Sequence, residues 1–119
     1  MRWLKAKQDS GIFIRASKEG KNWPDKKVEV QCENTTRVAM LFGAKHKLDK
    51  EKAAKALKAV NEWNEFTIRC VGKTCEVKLN GELVCTSDDI QLEKGYIGLQ
   101  GENGDLDFRN IRIQVVGDE

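Results

Sequence analysis

The chain has 119 residues, with 21 Lys and Arg against 19 Asp and Glu and a net charge of +2. This length fits one domain over residues 1–119, and so balanced a charge gives no electrostatic reason to expect nucleic-acid binding. No apolar run reaches the roughly 18 residues of a membrane span, and the first residues lack the apolar core of a signal peptide, so we expect neither a nucleic-acid nor a membrane partner.

Alternating polar and apolar residues predict the first strands. Residues 1–7 read as the end of a strand, with Trp3 as a core anchor. The next strand, GIFIRA at 11–16, has an apolar face from which Phe13 and Arg15 point away.

A polar loop and two further strands follow. The loop, residues 17–27, contains Trp23, which either closes the loop over the core or lines a binding surface. Residues 28–33 (VEVQCE) alternate cleanly and predict a strand with two different faces. Its apolar face carries Val28, Val30 and Cys32, and its polar face carries Glu29, Gln31 and Glu33. A short apolar run at 38–42 predicts another strand.

Residues 49–60 depart from the strand pattern. Asp49 is a suitable N-cap and is followed by good helix formers. Apolar residues recur at helical spacing at Ala53, Ala56, Leu57 and Val60. The segment predicts a short amphipathic helix that covers one edge or end of the sheets, and the six lysines between residues 44 and 58 indicate a solvated face.

Two hairpins are predicted between residues 65 and 85. The first has a two-residue turn at residues 72–73. This register places Cys70 opposite Cys75, where the pair is either two small core residues or a cross-strand disulfide. Asn80-Gly81 is the strongest turn signal in the chain and predicts the second hairpin.

The C-terminal part predicts two more strands. In the first, residues 96–100, Ile97 and Leu99 are expected to point inward. In the second, the inward residues change parity, from Leu106 and Phe108 to Ile111, Ile113 and Val115. This change predicts a β-bulge near residues 109–110. In total, about seven short strands with regular turn signals are typical of an all-β protein, so we predict an antiparallel β-sandwich or jelly roll with one short helical insertion.

Seven motifs occur along the chain in a fixed order. They are DSGIFIRA (9–16), VEVQ (28–31), LFGA (41–44), NEWNEFTIRC (61–70), VKLNGELV (77–84), GYIGLQ (95–100) and FRNIRI (108–113). Together they resemble the 3-keto-disaccharide hydrolase family over nearly the whole chain. The resemblance implies a concanavalin-like jelly roll. Members are often carbohydrate-active and secreted or periplasmic, some act on 3-keto-glycosides, and some need a metal.

Two features depart from that family. Its domains usually carry several strands before the SGI motif, and this chain begins close to it, so we expect an exposed sheet edge. A homodimer that completes the sheet, a partner chain or a rebuilt minimal sandwich would resolve this, and the homodimer is the favoured prediction. Members often have a histidine between the GLQ and FRNI motifs, whereas residues 101–107 hold none and His46 lies beside the lysine-rich segment. This weakens the expectation of catalysis, because histidine is the commonest general base.

The polar face of the predicted strands 11–16 and 28–33 is the candidate site. If the two strands are neighbours, Arg15 converges with Glu29 and Gln31, and such donors and acceptors suit sugar hydroxyls. Glu29 is the candidate catalytic base, and Arg15 and Gln31 are candidate substrate ligands. Four further residues are candidate substrate ligands: Trp23, Trp63, Tyr96 and Gln100. The three aromatic side chains among them could stack on a sugar ring. The simpler alternative is an ordinary solvent-facing sheet surface.

Two functions are therefore expected from the sequence. The first is a carbohydrate-active domain of the 3-keto-glycoside hydrolase or lyase type, with a saccharide or glycoside as its ligand. The alternative is a non-catalytic sandwich that binds a saccharide or a protein. The four cysteines and one histidine lack metal-ligand spacing, so we predict no metal site and name no cofactor.

Overall fold

The computed structural model describes residues 1–18, 27–92, 94–100 and 105–115. Within these ranges the chain forms ten strands and one helix. In chain order they are β1 (Arg2–Trp3), β2 (Gly11–Ala16), β3 (Val28–Gln31), β4 (Leu41–Phe42), β5 (Lys47–Leu48), α1 (Lys50–Ala56), β6 (Phe66–Val71), β7 (Thr74–Leu79), β8 (Glu82–Ser87), β9 (Tyr96–Gln100) and β10 (Leu106–Asp107). No helix in this part of the chain is long and apolar enough to cross a membrane.

The strands form two four-stranded sheets and one two-stranded sheet. The first sheet has the order β4-β3-β2-β9, the second has the order β5-β8-β7-β6, and β1 pairs with β10. All of these pairings are antiparallel. The apolar residues of both larger sheets share one core, so the prediction of an all-β sandwich of the jelly-roll class with a short helical insertion is confirmed.

Alternate residues of facing strands make the core. Val30 of β3 and Val77 and Leu79 of β7 are fully buried, as the period-two pattern requires. Burial of each such side chain contributes roughly 1.5–3 kcal/mol. Trp3 is a core anchor as predicted, because it is 1% exposed and its indole N–H donates to the carbonyl oxygen of Cys32 at 2.8 Å.

The helix is shorter than the predicted span of 49–60. It begins after Asp49, whose Oδ1 accepts a hydrogen bond from the backbone N–H of Lys52 at 3.1 Å. It ends at Ala56 because Leu57 adopts an extended backbone, with φ −67° and ψ 126°. From that conformation the Leu57 side chain packs on the core, so tertiary contacts override helix propensity in the last predicted turn.

The first hairpin has the predicted register. Cys70 lies opposite Cys75 in the β6–β7 pair, next to the turn. Both residues are thiols, with Cys75 buried and Cys70 partly exposed.

The second hairpin turns at Asn80 and Gly81, which have φ values of 52° and 85°. Such positive angles are what a two-residue hairpin turn needs. The Asn80 amide also joins neighbouring segments, because its Nδ2 donates to the Ala56 carbonyl at 2.7 Å and to the Asn64 Oδ1 at 2.9 Å. Its Oδ1 accepts from the backbone N–H of Glu65 at 2.8 Å.

The C-terminal part differs from the prediction. Ile97 and Leu99 are 49% and 41% exposed, because β9 is the edge strand of its sheet. The last strand ends at Asp107, and the chain turns at Asn110 with φ 54°. The irregularity therefore lies where the parity change predicted a bulge, but the predicted strand beyond it is wrong. The residues that would have pointed inward, Ile111, Ile113 and Val115, are exposed.

Candidate functional site

A cleft of about 360 Å³ lies on the face of the first sheet that points away from the core. Its walls combine carboxylates, amides, cations and two aromatic rings. The lining residues are Asp9, Phe13, Lys27, Glu29, Gln31, Arg37, Phe42, Gly43 and Gln100. A cleft that combines apolar surface with converging polar groups is the usual form of a small-molecule site.

Strand register brings these residues together. On β2 and β3, Phe13 faces Glu29 and Gly11 faces Gln31. On the other side of β2, the edge strand β9 places Gln100 opposite Gly11. Residues that are direct partners or two apart share one face of a sheet. The outward face of three neighbouring strands therefore presents one carboxylate and two amides side by side.

The carboxylate of Glu29 lies over the bare backbone of Gly11. A Cβ atom added at Gly11 would stand 2.9 Å from both Cγ and Cδ of Glu29, and closer still to Oε2. Such separations are too short for carbon atoms, so the carboxylate occupies the space that a side chain at Gly11 would fill. The side chain of Glu29 thus runs along the sheet from its own partner, Phe13, toward the next pair.

Gln31 is held between two carboxylates at one end of the cleft. Its Nε2 donates to Asp9 Oδ1 and to Glu33 Oε1, both at 2.9 Å. The residue is 3% exposed, so these hydrogen bonds satisfy both amide protons where water has little access. Arg37 lies 3.7 Å from Glu33 and partly offsets the negative charge at this end.

Two aromatic rings form the apolar part of the cleft, and each is close to a cation. Lys27 Nζ lies 5.9 Å from the ring centroid of Phe13, and the Arg37 guanidinium lies 5.2 Å from that of Phe42. Aromatic faces can pack on the C–H surface of a sugar ring. The cations place positive charge in the same cleft as the Glu29 carboxylate.

Comparison with protein-family profiles shows to which family the chain belongs. Residues 1–114 match the profile of the 3-keto-alpha-glucoside-1,2-lyase-like domain. The chain belongs to this family. Its membership confirms the predicted resemblance and identifies the protein as a carbohydrate-related domain. Among curated proteins, none matches the chain significantly.

A solved structure supports the fold of this family member. The chain is similar to a proposed glycosyl hydrolase from Parabacteroides distasonis ATCC 8503, with 24% sequence identity and a TM-score of 0.60. The match covers 86% of this chain and 67% of that one. At this identity the likeness shows a shared sandwich fold.

Arg15 lies outside the cleft of this lyase-like domain, contrary to the expectation that it converges with Glu29. Its backbone has φ 48°, and the β2–β9 register shifts between Phe13 and Ala16. This irregularity turns the side chain away from the face that the strand pattern assigned to it. The guanidinium donates instead to the carbonyl oxygens of Gly72 at 2.5 Å and Leu92 at 2.7 Å.

The predicted aromatic ligands also lie apart from the cleft. The ring centroid of Trp63 lies close to two guanidinium groups, at 4.8 Å from that of Arg2 and 3.8 Å from that of Arg109. Tyr96 is 57% exposed, with Lys18 Nζ at 5.4 Å from its ring centroid. Trp23 lies outside the described residues. Of the predicted site residues, the structure therefore brings together Glu29, Gln31 and Gln100.

Sequence reasoning missed the cations and the second carboxylate of the cleft. Asp9 precedes the SGI motif and Arg37 follows Glu33 by four positions in a turn, and neither position has a strand pattern that would assign it a face. Phe42 ends a two-residue strand, opposite Glu29. The sequence signal that could have found cleft residues was the alternation of residues 28–33, because residues of the strands that pair with this segment share its polar face.

The buried thiols are poor candidates for nucleophiles. Burial raises the pKa of Cys75 to about 12 and that of Cys85 to about 11, and burial also raises the pKa of Cys32. These groups are protonated at neutral pH, whereas the thiolate is the reactive form. Within the described ranges no group of three or more His, Cys, Asp or Glu side chains is placed to hold a metal ion.

Proposed function

We propose that the cleft binds a 3-keto-glycoside and that Glu29 is the base that starts its cleavage by elimination. The observation that carries this proposal is the position of the Glu29 carboxylate, laid across the floor of the cleft over Gly11. The carboxylate shares the cleft with the Gln31 and Gln100 amides and with two aromatic rings that each lie near a cation. The family of this chain is named for 3-keto-glucoside lyase chemistry.

The proposed reaction needs few protein groups. In a 3-keto sugar the ketone at C3 acidifies the C–H bond at C2. Glu29 takes the C2 proton, and the electron pair moves toward C3 to give an enolate oxygen. When the carbonyl re-forms, the bond between C1 and the glycosidic oxygen breaks and a C1–C2 double bond forms. The departing oxygen takes a proton from water, and the hydroxide that remains takes the C2 proton back from Glu29, which regenerates the base. The products are an unsaturated keto sugar and the free aglycone.

The other cleft residues fit this chemistry. Lys27 and Arg37 supply positive charge for the developing enolate, which is the kind of electrostatic stabilisation that lowers such barriers. Phe13 and Phe42 offer an apolar surface to the sugar ring. Gln100 can exchange hydrogen bonds with sugar hydroxyls, which both donate and accept.

The test is an NMR time course with a panel of 3-keto-glycosides and ordinary disaccharides, with and without divalent metal. The wild-type protein is expected to release aglycone from a 3-keto-glycoside, and Glu29→Gln to lose roughly 10²–10⁴-fold in rate, the usual contribution of a general base. Glu82→Gln, the same change at an exposed position on β8, is the control and should keep full activity. Unchanged turnover in Glu29→Gln would remove this residue from the mechanism.

A non-catalytic saccharide-binding module is the second candidate. One observation favours it: the single histidine of the chain, His46, is absent from the cleft lining and places its Nδ1 3.0 Å from the carbonyl oxygen of Ala44. In this case saturation transfer from the protein to a sugar would appear without any product. Product formation from any panel member would exclude this candidate.

The homodimer stays a prediction. It is supported by the exposed side chains of Ile97 and Leu99 on the edge strand β9, since open edges with apolar residues favour association. Light scattering would give about twice the 13.5 kDa chain mass if it forms. A clean monomer would contradict it.

A further inference from the structure

We propose that Gly11 is a positioning residue, which holds the Glu29 carboxylate in place by leaving room for it. This inference rests on the proposed function for its catalytic consequence, but its structural part stands independently. It concerns a residue that contributes no side chain to the cleft and is identified by the space above its backbone.

The geometry shows two neighbouring side chains that each lean over a glycine. Phe13 and Glu29 are direct cross-strand partners, and their side chains take different directions. A Cβ added at Gly98 would lie 3.2 Å from Cδ2 of Phe13, whereas one added at Gly11 would collide with Glu29. The ring therefore lies toward β9, and the carboxylate lies toward the Gly11–Gln31 pair.

The backbone conformation at position 11 does not require a glycine. Its backbone lies outside the left-handed region, since its φ is not among the positive values, and it sits inside a regular strand between paired residues. In such a place alanine is ordinarily preferred to glycine, because glycine loses more backbone entropy on folding. Space for the carboxylate is the feature that an alanine would remove.

The consequence is a sign reversal that an ordinary packing glycine would not show. With Glu29 present, Gly11→Ala should displace the carboxylate and lower the melting temperature. With Glu29→Ala in the background, the obstacle is gone, so Gly11→Ala should leave the melting temperature unchanged or raise it. A double-mutant cycle of these two substitutions measures this coupling directly.

The experiment combines that cycle with a direct view of the carboxyl group. The Glu29 side-chain carboxyl ¹³C resonance is followed by NMR through a pH titration in wild type and in Gly11→Ala. We expect a displaced resonance and an altered titration midpoint in the variant. Turnover of the 3-keto-glycoside should fall by about 10–100-fold, mostly in kcat, because a misplacement of about 1 Å has effects of this size.

The outcomes separate this inference from the proposed function. If wild type turns over no 3-keto-glycoside, the proposed function fails while the NMR titration and the thermal cycle still test Gly11. If Gly11→Ala does not fold, recovery of the fold in Gly11→Ala with Glu29→Ala supports the inference. Failure of that double variant to fold overturns it. An identical carboxyl titration in wild type and Gly11→Ala also overturns it.

Discussion

Replacing Gln31 by glutamate should destabilise the protein in a pH-dependent manner. The Gln31 amide donates to two carboxylates, those of Asp9 and Glu33, at 2.9 Å each. A hydrogen bond to a charged group contributes about 1.5–3 kcal/mol, and the lower figure applies here because the carboxylates are partly exposed. Gln31→Glu removes both donors and adds a third negative charge, so we expect a loss of about 3 kcal/mol at pH 7.

The sign of the pH dependence follows from the pKa of the introduced carboxyl. Its neighbours are carboxylates and its site is buried, so its pKa in the folded state lies above the unfolded value of about 4.3. The part of the destabilisation that comes from the added charge is therefore absent below about pH 4.3, and it is fully present once the pH has risen through the folded pKa. For a domain of this size, 3 kcal/mol corresponds to a fall in melting temperature of roughly 12 °C.

Thermal melts of wild type, Gln31→Glu and Gln31→Met between pH 3.5 and 8 check this reasoning. Gln31→Met has a similar shape without donors or charge, so its deficit should not grow in the same way with pH. If Gln31→Glu matches wild type at pH 7, or if its deficit parallels that of Gln31→Met at every pH, the amide does not hold the two carboxylates together.

Three further predictions concern the hairpins and the buried thiols. Asn80→Ala should lower the free energy of unfolding by about 2–4 kcal/mol, because it removes three hydrogen bonds and places alanine at positive φ. Urea denaturation measures this change, and a loss below about 0.5 kcal/mol would contradict the prediction. Oxidised glutathione should convert the Cys70–Cys75 pair to a disulfide by thiol–disulfide exchange, with release of two molecules of reduced glutathione. For so short a loop, the disulfide should stabilise the protein by about 2 kcal/mol at most. Peptide mass spectrometry would show the cross-link, and a persistent mixed disulfide would contradict the prediction. The melting temperature should fall above pH 9. Burial raises the pKa of Cys75 to about 12 and that of Cys85 to about 11 from an unperturbed 9.0, so the stability that these protonated thiols contribute at lower pH is lost as the pH rises through the folded pKa values. In Cys85→Ala this fall should be smaller.

Local signals predicted the hairpins and the central strand well. The turn at Asn80-Gly81 has a strong intrinsic preference, and the register that pairs Cys70 with Cys75 follows from the short turn between them. The alternation of residues 28–33 assigned Glu29 and Gln31 to the outward face correctly, because one face of that strand is buried and fixes the register.

The failures arose where the backbone departs from regular geometry. Arg15 has a positive φ within β2, and Asn110 has one after β10, so alternation stops predicting faces at both positions. Trp63 is covered by guanidinium groups from both ends of the described chain, and such a long-range pairing has no local signature. Of the cleft cations, Arg37 lies in a turn and Lys27 directly precedes β3, so neither has a strand pattern that fixes its side-chain direction.

Two motifs of this chain combine two roles within a few residues, and this explains why the sequence indicates the site better than the reaction. In the VEVQ motif, Glu29 presents its carboxylate to the cleft while Gln31 ties together the carboxylates beside it. In the SGI motif, Gly11 leaves the space that Glu29 fills. In this chain the two motifs therefore supply a carboxylate and the groups that support it. Because the same support would equally hold a carboxylate that only binds sugar hydroxyls, turnover in wild type and its loss in Glu29→Gln are the observations that distinguish a lyase from a lectin-like module.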